Sequence, residues 1–119
     1  MIYHKDVHLP RRVRGMVPTG VKSLTYSNHA KKEFADKYGQ IVPPDSLNFG
    51  TAEVVEVTVF GTTIDKLVLR SSYDEKTDVI FVCIPCDNKK RWFVKTVWLN
   101  TKDDTHKTLD VNRFAVDKT

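Results

Sequence analysis

The chain has 119 residues, 40% of them hydrophobic and 29% charged, with a formal net charge of +4. That length holds one modest hydrophobic core, and the composition is that of an ordinary globular protein rather than a disordered or collagenous one. No apolar run reaches the ~20 residues that a bilayer-spanning helix needs.

The charge is unevenly placed. Residues 1–25 carry Lys5, Arg11, Arg12, Arg14 and Lys22 against the single acid Asp6, which is the whole net excess of the chain. A basic lead segment on a neutral body can follow a phosphate backbone, and it can equally serve as a solvated surface. Pro10, Gly15, Pro18 and Gly20 exclude a long helix there. The sequence therefore predicts an irregular basic N-terminal arm over 1–25 and one α+β domain over 26–119.

Tyr26 to Tyr38 reads as a helix. Ser27 or Asn28 can cap its first-turn amides, and Ala30, Phe34, Ala35 and Tyr38 form an apolar stripe. Gly39 is the expected stop, and Pro43-Pro44-Asp45 forces a turn. Four strands follow. Ala52 to Phe60 alternates valines with Glu56 and Thr58. Gly61 marks a hairpin into Thr63 to Arg70, where Leu67 and Leu69 point one way and Lys66, Val68 and Arg70 the other. Val79 to Ile84 is continuously apolar, as in a central strand covered on both faces. Arg91 to Asn100 places Trp92, Val94, Thr96 and Trp98 on one face by simple alternation. The tail from Thr101 is polar, with a final strand or strap from Val111 to Val116. The fold class expected is α+β: one main helix on a four-stranded antiparallel meander, with a polar sheet face left free.

Four constellations carry chemistry. On the free face, Lys66 and Arg70, joined by Lys95, can hold a phosphate and stabilise developing charge; the same residues can make cross-strand ion pairs, such as Glu56 with Lys66. His29 at the helix start and His106 beside Asp103 and Asp104 are candidate proton-transfer groups. Cys83-Ile84-Pro85-Cys86 has C-x-x-C spacing and His4 and His8 have H-x-x-x-H spacing, a combination that can be drawn as a zinc set; two free thiols are the simpler expectation, and neither metal nor cofactor is assigned. Lys89, Lys90 and Arg91 beside Trp92 suit nucleic acid, as they suit a charged hairpin tip. Two cysteines and no signal-peptide core point to a reducing cytoplasm.

Tyr26-Ser27-Asn28-His29-Ala30, the strand ending Val94-Lys95-Thr96-Val97-Trp98-Leu99-Asn100, and Asp103 to Asp110 with Arg113 and Phe114 resemble small proteins encoded by tailed bacteriophages. The layout is also similar to the RelE-like toxins and related small ribonucleases. That resemblance implies antiparallel sheet packed with helices and metal-independent RNA cleavage by surface Arg, Lys, His or Tyr residues. The expectation is a phage-type nucleic-acid-binding protein of RelE-like layout in the host cytoplasm, with RNA favoured over DNA, and with metal-independent RNA cleavage left open as its activity. Arg70, Lys95, His29 and His106 are the expected catalytic groups, and Arg11, Arg12, Arg14, Lys66, Lys89, Lys90 and Arg91 the expected nucleic-acid contacts. The alternative is a non-enzymatic protein that binds and inhibits or redirects a host protein; a virion-associated structural domain is a third reading.

Overall fold

The structure, a computed structural model, describes residues 2–4, 10–86 and 90–103. The elements run β1 (Ile2–His4), α1 (Arg11–Arg14), β2 (Val21–Tyr26), α2 (Asn28–Lys37), β3 (Ser46–Asn48), β4 (Glu53–Phe60), β5 (Thr63–Ser72), β6 (Thr77–Cys86) and β7 (Arg91–Thr101). They build one seven-stranded sheet in the order β1-β4-β5-β6-β7-β2-β3. Every neighbouring pair is antiparallel except β2 and β7, which run parallel. No helix among the described residues is long and apolar enough to cross a membrane.

This corrects the expected fold class. The hairpins from β4 to β7 are present, but as the middle of a larger mixed sheet with two short helices, not as a four-stranded meander under one main helix. The irregular arm is corrected with it. Val13 on α1 is fully buried and Leu24 on β2 nearly so, both in the main core. In β2, Lys22, Leu24 and Tyr26 turn inward while Val21, Ser23 and Thr25 stay exposed. Alternation is present there, but it is carried by a lysine, one leucine and a tyrosine, so hydropathy alone does not reveal it.

Local chemistry explains α2. Ser27 caps it, its Oγ accepting from the Ala30 amide at 3.0 Å, which satisfies one of the free first-turn donors. Gly39 (φ +77°) lets the chain leave the helix at a left-handed angle. Ala30 and Phe34 face inward, and Phe34 packs on Tyr38 with ring centroids 4.7 Å apart. The Leu99 amide donates to Tyr38 Oη at 3.0 Å, fastening α2 to β7 beyond the point where β2 has ended. Tyr26 Oη donates to the Pro44 carbonyl and fixes the turn into β3; burial, first of all, pushes that phenol above its ordinary range.

The sheet is buried on both faces. The first face carries the larger core, including Val57, Leu67, Leu69, Phe81 and Trp92, closed by Val13, Phe34, Leu47 and Phe49. Phe49 and Trp92 meet with centroids 5.2 Å apart. The second face holds Val55, Val68, Ile80, Val82 and Trp98. β6 contributes to both, as its unbroken apolar run predicts: Val79 through Cys83 are all buried. The second face is therefore not the free polar surface expected of it. Glu56, Lys66 and Arg70 on it are all buried, at 1%, 7% and 7% exposure.

Three bulges redirect side chains. Val54 pairs with Leu69 and Glu56 with Val68, so Val55 is an extra residue in β4. Thr58 pairs with Lys66 and Val59 with Ile64, so Asp65 is extra in β5. Val82 pairs with Thr96 and Cys83 with Val94, so Lys95 is extra in β7. Simple alternation therefore fails along β7. Trp92, Val94 and Val97 lie in the first core, while Trp98 lies in the second. A bulge resets which residues share a face.

Candidate nucleic-acid interface

The basic residues gather at one end of the sheet because of the parallel pairing. Ser23 lies opposite Arg91 and Leu24 opposite Trp92, so the start of β2, with Lys22, meets the start of β7, with Lys90 and Arg91. α1 precedes β2 in the chain, separated from it by residues 15–20. Val13 sits in the core, and this turns Arg11, Arg12 and Arg14 outward, all three exposed. Lys90 and Arg91 are exposed as well. Lys22 and the Lys90-Arg91 pair, about seventy residues apart in sequence, thus share one end of the sheet. Lys89 and His106 lie outside the described residues.

Two hollows meet at Lys95, the larger on the second face and the smaller between α2 and β7. One hollow, of about 520 Å³, is lined by Ile2, Thr58, Ile64, Asp65, Lys66, Ile84, Pro85, Phe93 and Lys95. A smaller one, of about 190 Å³, is lined by His29, Ala30, Glu33, Lys95, Thr96 and Val97. Lys95 belongs to both, so it stands between them. The larger hollow has a regular floor. Ile2 lies opposite Thr58 and Thr58 opposite Lys66; the pairing of Leu67 with Cys83 sets Lys66 beside Ile84, and Ile84 lies opposite Phe93. These five residues form one row across five strands.

His29 and Lys95 thus come together, as the proton-transfer and cationic groups of the expected site would. His29 Nε2 lies 2.9 Å from Glu33 Oε2, one helical turn away, with both side chains open to solvent. A carboxylate so placed orients the imidazole.

Arg70 is elsewhere and otherwise engaged. It lies four residues along β5 from Lys66, about 13 Å. Its Nε donates to Asp78 Oδ2 at 2.6 Å and its Nη2 to the Thr101 carbonyl at 2.8 Å. Lys102 Nζ completes the cluster, 2.7 Å from Asp78 Oδ1 and 2.9 Å from Ser72 Oγ. The cluster ties β5 to the end of β7 across β6. Burial by itself would raise the Asp78 carboxyl. The hydrogen bonds from Lys102 and Arg70, with their charges, outweigh it and hold the group below the usual carboxylate range. The Arg70 guanidinium, expected to meet a phosphate, is engaged by Asp78 and the Thr101 carbonyl. The Glu56–Lys66 pair is not directly opposed either: Glu56 faces Val68, and Lys66 faces Thr58.

The cysteines do not form a chelating pair. Side chains three residues apart on a strand point to opposite faces. Cys83 lies in the first core, where burial pushes its thiol far above the ordinary range, and Cys86 donates from Sγ to the Arg91 carbonyl at 3.2 Å. Both are free thiols. Among the described residues no group of three His, Cys, Asp or Glu side chains is placed to hold a metal ion; His8, and the side chain of His4, lie outside that description.

Sequence reasoning missed Asp65, Phe93 and Glu33. The signal for Glu33 was its i+4 spacing from His29; the other two depend on bulges and strand register. Compared with protein families, with curated proteins and with solved structures, the chain matches none.

Proposed function

We propose that the protein binds single-stranded nucleic acid, RNA in preference to DNA. The strand's phosphates would meet the exposed cations Arg11, Arg12, Arg14, Lys90 and Arg91, and its bases the groove over Lys95. The observation that carries this reading is the β2–β7 pairing, which assembles two sequence-distant basic segments while Val13 holds the arginines outward. Single-strand binding sites combine a cationic track with an aromatic or apolar surface on which unpaired bases stack, and Phe93 beside Lys95 offers that surface.

A second reading rests on the smaller hollow. His29, oriented by Glu33, and Lys95 are the groups that a metal-independent cleavage of RNA requires. The imidazole takes the 2′-hydroxyl proton as that oxygen attacks phosphorus, Lys95 stabilises the pentavalent phosphorane, and the bond from phosphorus to the 5′-oxygen then breaks, that oxygen taking up a proton from the imidazolium or water to leave a 2′,3′-cyclic phosphate.

The test is fluorescence anisotropy with a labelled single-stranded oligoribonucleotide, its DNA counterpart and a duplex, at about 50 and 200 mM salt. Binding should weaken steeply with salt. The Arg11→Ala/Arg12→Ala/Arg14→Ala protein should lower the slope of log K against log salt by about 2, at roughly 0.7 per lost phosphate contact. Absence of binding at the lower salt, or an unchanged slope, would remove the proposal. Product analysis of the same mixtures tests cleavage: His29→Ala should slow it by about 100-fold, and an RNA left intact by the unaltered protein removes the second reading.

A further inference from the structure

We infer that the larger hollow is a pocket for one unstacked nucleotide with guanine as its preferred base, a deepening that rests on the proposed binding of single strands. Two independent irregularities converge on it. The extra residue of the β5 bulge, Asp65, and the extra residue of the β7 bulge, Lys95, both line the hollow, although β6 lies between their strands. Alternation from Lys66 would turn Asp65 to the opposite face, and its bulge brings it to this one; Lys95 shares the face of Phe93, two residues before it. Bulges concentrate where a sheet re-aims a side chain toward a site.

The floor suits a nucleotide. Phe93 and Ile84 offer an aromatic and an aliphatic surface for a base, and Lys66 lies two strands from Phe93 in the same row, about 10 Å away. A base over Phe93 leaves its phosphate within reach of Lys66 on one side and Lys95 on the other. The hollow lies on the second face, so it would take a base from a strand whose other phosphates follow the basic end.

Asp65 supplies the selectivity. A carboxylate offers two acceptor oxygens and no donor. Guanine alone among the four bases presents two adjacent donors, N1–H and the N2 amino group, on its Watson–Crick edge. Adenine and cytosine set an acceptor beside their amino donor, and uracil flanks its one donor with two carbonyls; each would turn a lone pair toward the carboxylate.

The experiment titrates the 5′-monophosphates of guanosine, adenosine, cytidine and uridine into the full chain, following amide shifts by NMR, with oligoribonucleotide binding measured in parallel. Guanosine monophosphate should bind about 10-fold more tightly than the other three, within the range of one good bidentate base contact. Asp65→Asn, at an exposed position, should erase that difference. Phe93→Leu should weaken all four together. Equal binding of the four nucleotides, or a guanine preference that survives Asp65→Asn, overturns the pocket. If oligonucleotides still bind in that case, only the pocket falls; if they do not bind at all, the single-strand reading falls with it.

Discussion

Asp78→Asn should unfold the protein about 12 °C earlier than the unaltered chain at pH 7. The carboxylate accepts from Arg70 at 2.6 Å and from Lys102 at 2.7 Å. The Arg70 side chain is 7% exposed and that of Asp78 15%. Removing one member of a buried pair leaves the other charge stranded, at a cost of about 3–5 kcal/mol. Arg70 keeps its bond to the Thr101 carbonyl, so the lower figure applies, about 3 kcal/mol. At roughly 4 °C per kcal/mol for a domain of this size, the shift follows. The pH dependence supplies the sharper check. The folded carboxyl is depressed, so its contribution is complete above the unfolded value, near 3.9, and is lost as pH falls through the folded value. The gap between the two proteins, measured by circular dichroism melts, should therefore be constant from pH 7 to about 5 and close below about 4. An Arg70→Met/Asp78→Asn protein should lose less than the sum of its parts. A Tm within about 2 °C of the unaltered protein at pH 7, or a gap that persists undiminished at pH 3, would refute the assignment of this cluster as a latch.

Val13→Ala should cost about 1–2 kcal/mol by chemical denaturation, and it should also weaken oligonucleotide binding although every arginine remains; unchanged binding would show that α1 is not held by that contact. Phe81→Ala, which empties a fully buried site between the sheet and its cover, should cost about 3–5 kcal/mol in the same measurement. With a thiol reagent at pH 8, Cys86 should react in the folded protein and Cys83 only after denaturant is added, because burial holds Cys83 protonated; two equally fast thiols would contradict its placement.

What the sequence determined by itself was local. Ser27 and Gly39 bound α2, Gly61 and its neighbours turn β4 into β5, and the apolar run Val79–Cys83 marks β6 as buried on both sides, each because its signal is complete within a few residues. Alternation in β5 likewise put Lys66 and Arg70 on the face opposite Leu67 and Leu69. The tertiary structure decided the rest. Nothing in residues 10–26 states that β2 will lie parallel to a strand that starts at Arg91, because pairing is a contact between distant segments whose periodicities look alike whichever partner they find. That pairing turned an expected loose arm into part of the sheet and its cover, and it brought two basic stretches together. The site was legible only in fragments for the same reason. His29 and Lys95 were visible as reactive types, but one extra residue in β5 decides where Asp65 points, and a bulge is fixed by the register on both sides of a strand. Whether Arg70 meets a phosphate or a carboxylate depended on Asp78 and Thr101, which β6 and β7 set beside it across the sheet.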